Sequence, residues 1–268
     1  MKTNRYDRQS FLGDESQASF DSARLGIIGL GGGGSHIAQQ CAHIGFQHFA
    51  NFDPDIIDET NLNRLVGGTV KDVENETPKV DIAERVIKGL QPDAMVISRM
   101  SRWQDDADIL KTRDLIFSAV DSYQERNQIE ILSRRYMVPM VDVGMEVREN
   151  PNGDFSMFGQ VILSLPGHPC MRCMGFLTDA KLAEEARRYG DAGQVPQVVW
   201  ANGVLASFAV GIAVELFTNW TRAKLLPLFL TYDGRRSIVQ PRPILTLVGS
   251  KCEHFPLDNV GDPVFSEI

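Results

Sequence analysis

LGIIGLGGGGSHIAQQCAHIGFQHFANFD, residues 25–53, is the stretch that decides the fold. Leu25, Ile27, Ile28 and Leu30 make an apolar run short enough for a buried strand. Gly29, the run Gly31 to Gly34 and Ser35 follow, then a helix predicted from His36 to Ile44 and closed by Gly45. A second strand, Phe46 to Phe52, ends in Asp53. Strand, glycine turn, helix, strand and acid is the order of a nucleotide-binding βαβ unit. The glycines let backbone approach a phosphate, and the helix N-terminus points N–H groups at it. Asp53 stands about 20 residues beyond the turn, where a carboxylate accepts from a ribose hydroxyl. Taken alone, this unit suggests a nicotinamide-dependent dehydrogenase.

Outward from it, strands and helices alternate. Asp14–Ala23 reads as a helix leading into the first strand, and Pro78–Leu90 as a helix with Val80, Ala83, Val86, Ile87 and Leu90 on one face. Strands are predicted at 95–98, 115–120 and 138–143, and helices at 105–111 and 122–136; the segment after Asp53 reads as loop. Alternation of this kind implies a doubly wound, mostly parallel Rossmann-like sheet. The later pattern differs: a strand at 155–165, a loop at 166–173, a charged helix at 179–189, a Gly/Pro link at 190–197, a long apolar helix at 200–220, and a hairpin at 229–239 turning at Asp233-Gly234. The expectation is an α/β fold with a C-terminal antiparallel extension. It forms one domain, 1–268, with an arm and helix at 1–24, a nucleotide-binding core at 25–145 and an extension at 146–268.

Composition narrows the function. Hydrophobic residues make up 43% of the 268, enough for a core without disulfide staples. A formal charge of −8 disfavours broad nucleic-acid binding. The start, MKTNRYDRQS, lacks an apolar signal core, and no run of about 18 apolar residues is apparent, so neither secretion nor a membrane span is expected. A reducing cytoplasm follows, in which four cysteines read as metal ligands or free thiols.

Four features do not suit a dehydrogenase: Asn61-Leu62-Asn63-Arg64 beyond the second strand, Lys79 opening a helix, Asp121 ending a strand, and Arg5-Tyr6-Asp7-Arg8-Gln9. In a doubly wound sheet ligands bind outside the carboxyl ends of the strands. Asp53, Arg64 and Asp121 follow strands and can share one crevice, with Lys79 reaching in. Two cations and two carboxylates around a glycine loop describe a nucleoside triphosphate with Mg²⁺, a cation that takes few protein ligands. Each residue also has an ordinary reading: a surface charge for Arg64, a solvated helix position for Lys79, a helix N-cap for Asp121.

The motifs RYDRQ (5–9), GLGGGGS (29–35), FDPD (52–55), NLNR (61–64), TPKV (77–80), AVDS (119–122) with Arg126 and Asn127, and CMRC (170–173) occur in this order. Together they resemble the ThiF/MoeB/E1-like family of ATP-dependent adenylating enzymes, closely to residue 173 and more weakly to Cys252. The resemblance implies activation of a carboxylate, usually the C-terminal glycine of a small ubiquitin-like or sulfur-carrier protein, as an acyl-adenylate with release of pyrophosphate. It assigns Gly29, Gly31, Gly32 and Gly34 to the nucleotide turn, Asp53 to the ribose, and Asp55 to the same nucleotide motif. It assigns Asn61, Arg64 and Lys79 to the triphosphate and Asp121 to Mg²⁺. Arg8, ahead of Arg5, matches an arginine inserted into the partner subunit's site, which implies a homodimer. The chemistry suits these residue types. A carboxylate, with a pKa of about 3–4, is ionised at neutral pH and needs no base; it needs charge neutralisation on the triphosphate and the leaving pyrophosphate.

Cys170-x-x-Cys173 has the spacing of half a zinc site. Where the family has a second CxxC, this chain has Cys252-Glu253-His254-Phe255, so Cys252 is present and Phe255 occupies the fourth ligand's place. His254 completes a Cys3His set, with His168 as rival. Cys41 reads as an inert core thiol, and His36, His43 and His48 as structural or surface residues. Residues 174–251 contain no cysteine, so no thioester step is expected on this chain. Segment 179–197 reads either as a crossover over the substrate's tail or as a surface loop. Rival functions are adenylation of a tRNA base or peptide by the same fold, a non-catalytic partner subunit, and an NAD-dependent oxidoreductase.

Overall fold

The computed structural model describes residues 4–187, 196–223, 229–257 and 260–262. Among these, eight strands form one sheet: β1 (Arg24–Ile28), β2 (His48–Phe52), β3 (Met95–Arg99), β4 (Leu115–Ser118), β5 (Met140–Glu149), β6 (Phe155–Ser164), β7 (Phe229–Asp233) and β8 (Ile238–Pro241). Their order is β3-β2-β1-β4-β5-β6-β7-β8. The first five run parallel, and β6, β7 and β8 continue antiparallel. The chain leaves β1 toward β2 and β3 on one side, then returns to β4 on the other. That reversal opens a crevice at the strands' carboxyl ends.

Helices cover both faces. Helices α1 (Ser16–Ser22), α2 (Gly32–Ile44), α4 (Lys79–Leu90) and α8 (Val199–Thr218) bury one face through Phe20, Ile37, Val80, Leu205 and Ala209, among others. Helix α6 (Tyr123–Arg135), α5 (Ala107–Leu110) and the chain from Met171 to Leu177 cover the other. Two short helices complete the description: α3 (Val70–Glu74) and α7 (Asp179–Arg187).

The structure corrects several expected boundaries. Helix α2 starts at Gly32, four residues before the predicted His36, because the glycines are themselves helical. A Cβ on Gly34 would lie 1.8 Å from the Gly29 carbonyl oxygen, so only glycine lets this turn sit on β1. Gly45 closes α2 in the left-handed region at φ +118°, and β2 therefore begins at His48 and not at Phe46. The loop after Asp53 contains a 3-10 turn at Glu59–Asn61 and an antiparallel bridge from Ile56 to Pro78. Helix α3 was not foreseen; its cap is a capping box between Thr69 and Asp72. The helix expected at 105–111 is a 3-10 turn, Trp103–Asp106, followed by α5. Strand β5 runs to Glu149, not Val143, because past β4 it keeps pairing with β6 alone.

Helix α8 is long and apolar enough to cross a membrane, which the sequence reading did not anticipate. Its buried residues, Ala201, Leu205, Ala206, Ala209, Val210 and Ala213 among them, are built into the core against α2 and the sheet. Its apolar run is that of a helix buried on most of its circumference. Of the segment expected at 179–197, residues 188–195 lie outside the described residues.

Candidate functional site

A pocket of about 250 Å³ opens at the carboxyl ends of β1, β2 and β4. Gly29, Gly31, Gly32, Asp53, Asp55, Arg64, Lys79 and Asp121 all line it, so most of the residues singled out in the sequence converge. Gly31 borders open space, with no atom within 4 Å of where a Cβ would lie. Gly34 and Asn61 are not among the lining residues. Gly34 instead brings α2 onto Gly29. Asn61 is buried, and its side-chain amide donates to Asp58 Oδ1 at 2.7 Å, which holds the Asp58–Arg64 turn.

Each polar group is set by local structure. The buried Asp53 carboxylate accepts the Leu30 N–H at 2.6 Å and the Asp55 N–H at 3.0 Å, joining β2's end to the glycine turn. Burial pushes its pKa up, opposed by the Lys79 charge and those two N–H groups. Lys79 has a side chain 11% exposed; its Nζ lies 2.7 Å from Asp55 Oδ2 and 4.0 Å from Asp53 Oδ1. It is not a solvated helix residue. Arg64 is steered by the Thr60 carbonyl at 2.6 Å and Asn63 Oδ1 at 3.1 Å.

Asp121 is not the cap of α6. Ser122 takes that role, its hydroxyl accepting the Glu125 N–H at 3.2 Å, while Glu185 of α7 accepts from the Tyr123 and Gln124 N–H groups at 2.9 and 2.8 Å. Asp121 is left facing the pocket. Gln197 Nε2 donates to its Oδ1 at 3.1 Å, and among the described residues its Oδ2 has no partner. Beneath this loop, buried Arg126 pairs with Asp142 at 2.8 Å and donates to the Val120 carbonyl, bracing the end of β4.

Sequence reasoning missed Ser101, Arg102, Trp103, Glu125, Gln197 and Asn202, which also line the pocket. The Ser101 hydroxyl and Trp103 indole N–H are buried without a partner among the described residues. Burial raises the Glu125 pKa, and Asp53, Glu185 and Asp121 raise it further against Arg102. These residues follow β3, sit within α6 or α8, or, for Gln197, just precede α8, where no motif distinguishes them.

Arg8 lies elsewhere. It is exposed in a 3-10 turn, Asp7–Leu12, that packs at the opposite end of the strands. Gln9 donates to the Ile44 carbonyl at 2.7 Å and Arg5 to the Leu90 carbonyl at 2.6 Å, which are the C-terminal ends of α2 and α4. Arg5 is thereby occupied; Arg8 has no partner among the described residues.

A second cluster gathers Cys170, Cys173, Cys252 and His254, all ligand atoms within 4.8 Å of one another. Sulfur–sulfur distances are 3.6 Å (Cys170 to Cys173) and 3.8 Å (Cys173 to Cys252); His254 Nδ1 lies 3.6 Å from Cys170 Sγ and 3.3 Å from Cys173 Sγ. Tetrahedral zinc with three sulfurs and one nitrogen requires separations of about 3.8 and 3.6 Å, so the donor set fits that ion. The loop carrying the first two cysteines is fastened to α6: buried Glu130 accepts the Met171 N–H at 2.9 Å, and Arg134 donates to the His168 and Pro169 carbonyls at 2.7 and 3.0 Å. His168 stays outside the cluster. Phe255 sets its ring beside Arg134 at 5.8 Å. Cys41 is fully buried, and burial pushes its thiol pKa up.

The ThiF family profile matches residues 5–253. The chain is 26% identical over 223 residues to a protein of Salmonella typhimurium named molybdopterin-synthase adenylyltransferase, covering 81% of this chain and 82% of that one. It is 27% identical over 176 residues to the SAMP-activating enzyme E1 of Haloferax volcanii, covering 64% of this chain and 61% of that protein. Among solved structures, the microcin C7 biosynthetic enzyme MccB in complex with N-formylated MccA superposes with a TM-score of 0.77 at 18% identity, covering 96% of this chain and 75% of that one. The fold is thus shared well beyond detectable sequence identity.

Proposed function

The chain belongs to the ThiF family, and from that premise we propose that it adenylates a carboxylate with ATP and Mg²⁺ and releases pyrophosphate. The substrate is the C-terminus of a small ubiquitin-like or sulfur-carrier protein, as the names of its relatives suggest. The observation that carries this reading is the convergence of Gly31, Arg64, Lys79 and Asp121 on one crevice. Arg64 and Lys79 neutralise the triphosphate and the departing pyrophosphate, so an anionic substrate can approach the α-phosphorus. Asp121, with one oxygen held by Gln197 and the other without a partner among the described residues, would hold Mg²⁺, which supplies further charge neutralisation. Asp53 keeps the glycine turn in register beside the ribose. With no cysteine between 174 and 251, the activated acyl group passes to a nucleophile outside this chain. Zinc at Cys170, Cys173, Cys252 and His254 would clamp the C-terminal segment to α6, apart from the pocket. Four free thiols suit a reducing cytoplasm.

A homodimer completes the site. Helix α8 shows an apolar outer stripe, with Trp200 60% and Phe208 42% exposed. Its N-terminal end carries Asn202 into the pocket; near its other end Trp220 meets Phe11 of the arm edge to face, with ring centroids 5.3 Å apart. The helix spans about 30 Å. Two copies paired antiparallel along α8 bring the arm of one protomer, with its exposed Arg8, over the pocket of the other. ATP–pyrophosphate exchange with carrier tails and other carboxylates tests the activity. Exchange absent with every carboxylate, or thermal stabilisation by NAD and none by ATP with Mg²⁺, would reject it.

A further inference from the structure

Beyond the pocket, β5 continues outward from Met145 to Glu149 and leaves one face of the antiparallel sheet beside α7. The floor there is aromatic: Tyr123 and Phe176 lie 5.7 Å apart, and Phe176 and Phe229 5.8 Å. Cations stand on it. Lys181 Nζ is 4.9 Å from the Tyr123 ring and 4.8 Å from Phe176, and the Arg242 guanidinium is 4.8 Å from Phe229. Neither Lys181 nor Arg242 has a carboxylate partner among the described residues; the Lys181 ammonium donates to the Phe176 carbonyl at 2.9 Å. Arg148 completes the group, and the nearest acid, Glu146, is already engaged by it through two bonds of 2.5 and 2.8 Å. Burial and the positive charges of Arg242, Arg148 and Arg126 together push the Lys181 pKa down, with Glu146 opposing. With Glu146 tied to Arg148 and Glu184 also acting on Arg148, a half-buried ammonium beside three guanidinium groups is a costly arrangement that a further anion would relieve.

We propose that Lys181, Arg242 and Arg148 form a subsite for an acidic side chain on the substrate's tail, three or four residues before the carboxylate that is activated. This rests on the adenylation reading and adds the tail's charge. Tyr123 is two residues from Asp121, and Arg148 is four residues along β5 from the pocket-lining Gly144, on the same face of the sheet, about 13 Å in extended chain. An extended tail with its terminus in the pocket covers that distance in three to four residues. The aromatic floor accepts the tail's backbone and methylene groups, and the cations select its charge.

The test uses synthetic octapeptides with a C-terminal glycine, carrying glutamate, alanine or lysine at the third and fourth positions before it. Fluorescence anisotropy measures their binding to the full chain loaded with a non-hydrolysable ATP analogue, and pyrophosphate exchange measures KM. The glutamate peptide should bind 5- to 20-fold more tightly than the alanine peptide, and the lysine peptide more weakly than either. Lys181→Glu should invert the glutamate–lysine order, and Arg242→Gln should reduce the preference without inverting it. Equal affinities, no binding at millimolar peptide, or a preference that Lys181→Glu leaves in place would overturn the proposal. Exchange silent with all peptides would count against adenylation itself, while the anisotropy still decides the charge preference.

Discussion

Three side chains carry the proposed chemistry, and each had an ordinary alternative in the sequence. Lys79 is withdrawn from solvent by Asp55 and Asp53, and Asp121 is relieved of capping by Ser122 and Glu185. Lys79→Ala should lower exchange by about 10²- to 10³-fold, the usual scale for losing one preorganised charge contact, with weaker ATP binding by calorimetry. Asp121→Asn should raise the Mg²⁺ concentration needed for half-maximal exchange. The two glycines should separate. Gly34→Ala forces a methyl group onto the Gly29 carbonyl and should cost about 1–3 kcal/mol in urea unfolding. Gly31→Ala meets open space, should cost about 1 kcal/mol or less, and should weaken ATP binding. Types and spacings pointed to Arg64, Lys79 and Asp121, which line one pocket. They misplaced Asn61, whose amide closes its own turn, because a motif does not say which way a side chain points. Glu125, Arg102 and Trp103 had no signal, since their place at the pocket comes from where β3 ends and α6 begins.

At the level of elements, hydrophobic period located nearly every strand and helix but not their ends. The glycine run looked like loop because glycine is a poor helix former, yet packing against β1 overrides propensity there. Strand β5 looked finished at Val143 because its mostly apolar run stops there; the outer half, flanked by β6 alone, carries Gly144, Glu146, Arg148 and Glu149 and is at most partly buried. Helix α3 was too short to show a period, and its stability lies in its cap. Asp72 accepts from the Thr69 N–H at 2.9 Å and takes a double contact from Arg85 at 2.7 and 2.8 Å. The Arg85 guanidinium holds the Asp72 carboxyl well below the usual carboxylate range. Its contribution is therefore complete at neutral pH and is lost as pH falls through and below the ordinary Asp value of about 4. Asp72→Asn should destabilise by about 1–2 kcal/mol at pH 7, and the gap from the wild type in urea midpoint should shrink toward pH 2.5.

For the whole molecule, a doubly wound, mostly parallel sheet with an antiparallel extension was readable from the alternation of elements, whereas the order of its strands and the relation between the arm and the pocket were not. Only tertiary structure puts residues 5–12 at the far end of the strands from Asp121. Mixing tests the homodimer. Arg8→Ala and Lys79→Ala should each be nearly inactive, and unfolding and refolding them together should restore about a quarter of wild-type exchange, from the mixed pairs with one intact site. No recovery would place Arg8 outside catalysis. The metal cluster brings together segments some eighty residues apart, too distant for spacing alone to settle the fourth ligand. Elemental analysis should find about one zinc per chain, lost in Cys252→Ser together with a lower melting temperature.

The position of the arm also bears on how such an enzyme is kept quiet. On the dimer proposed here, a lone protomer, its arginine at the foot of its own sheet, would load nucleotide at the crown but lack one piece of the machinery. Abundance then acts as a throttle: at low copy number ATP is bound and spared, and turnover per chain climbs as protomers find one another.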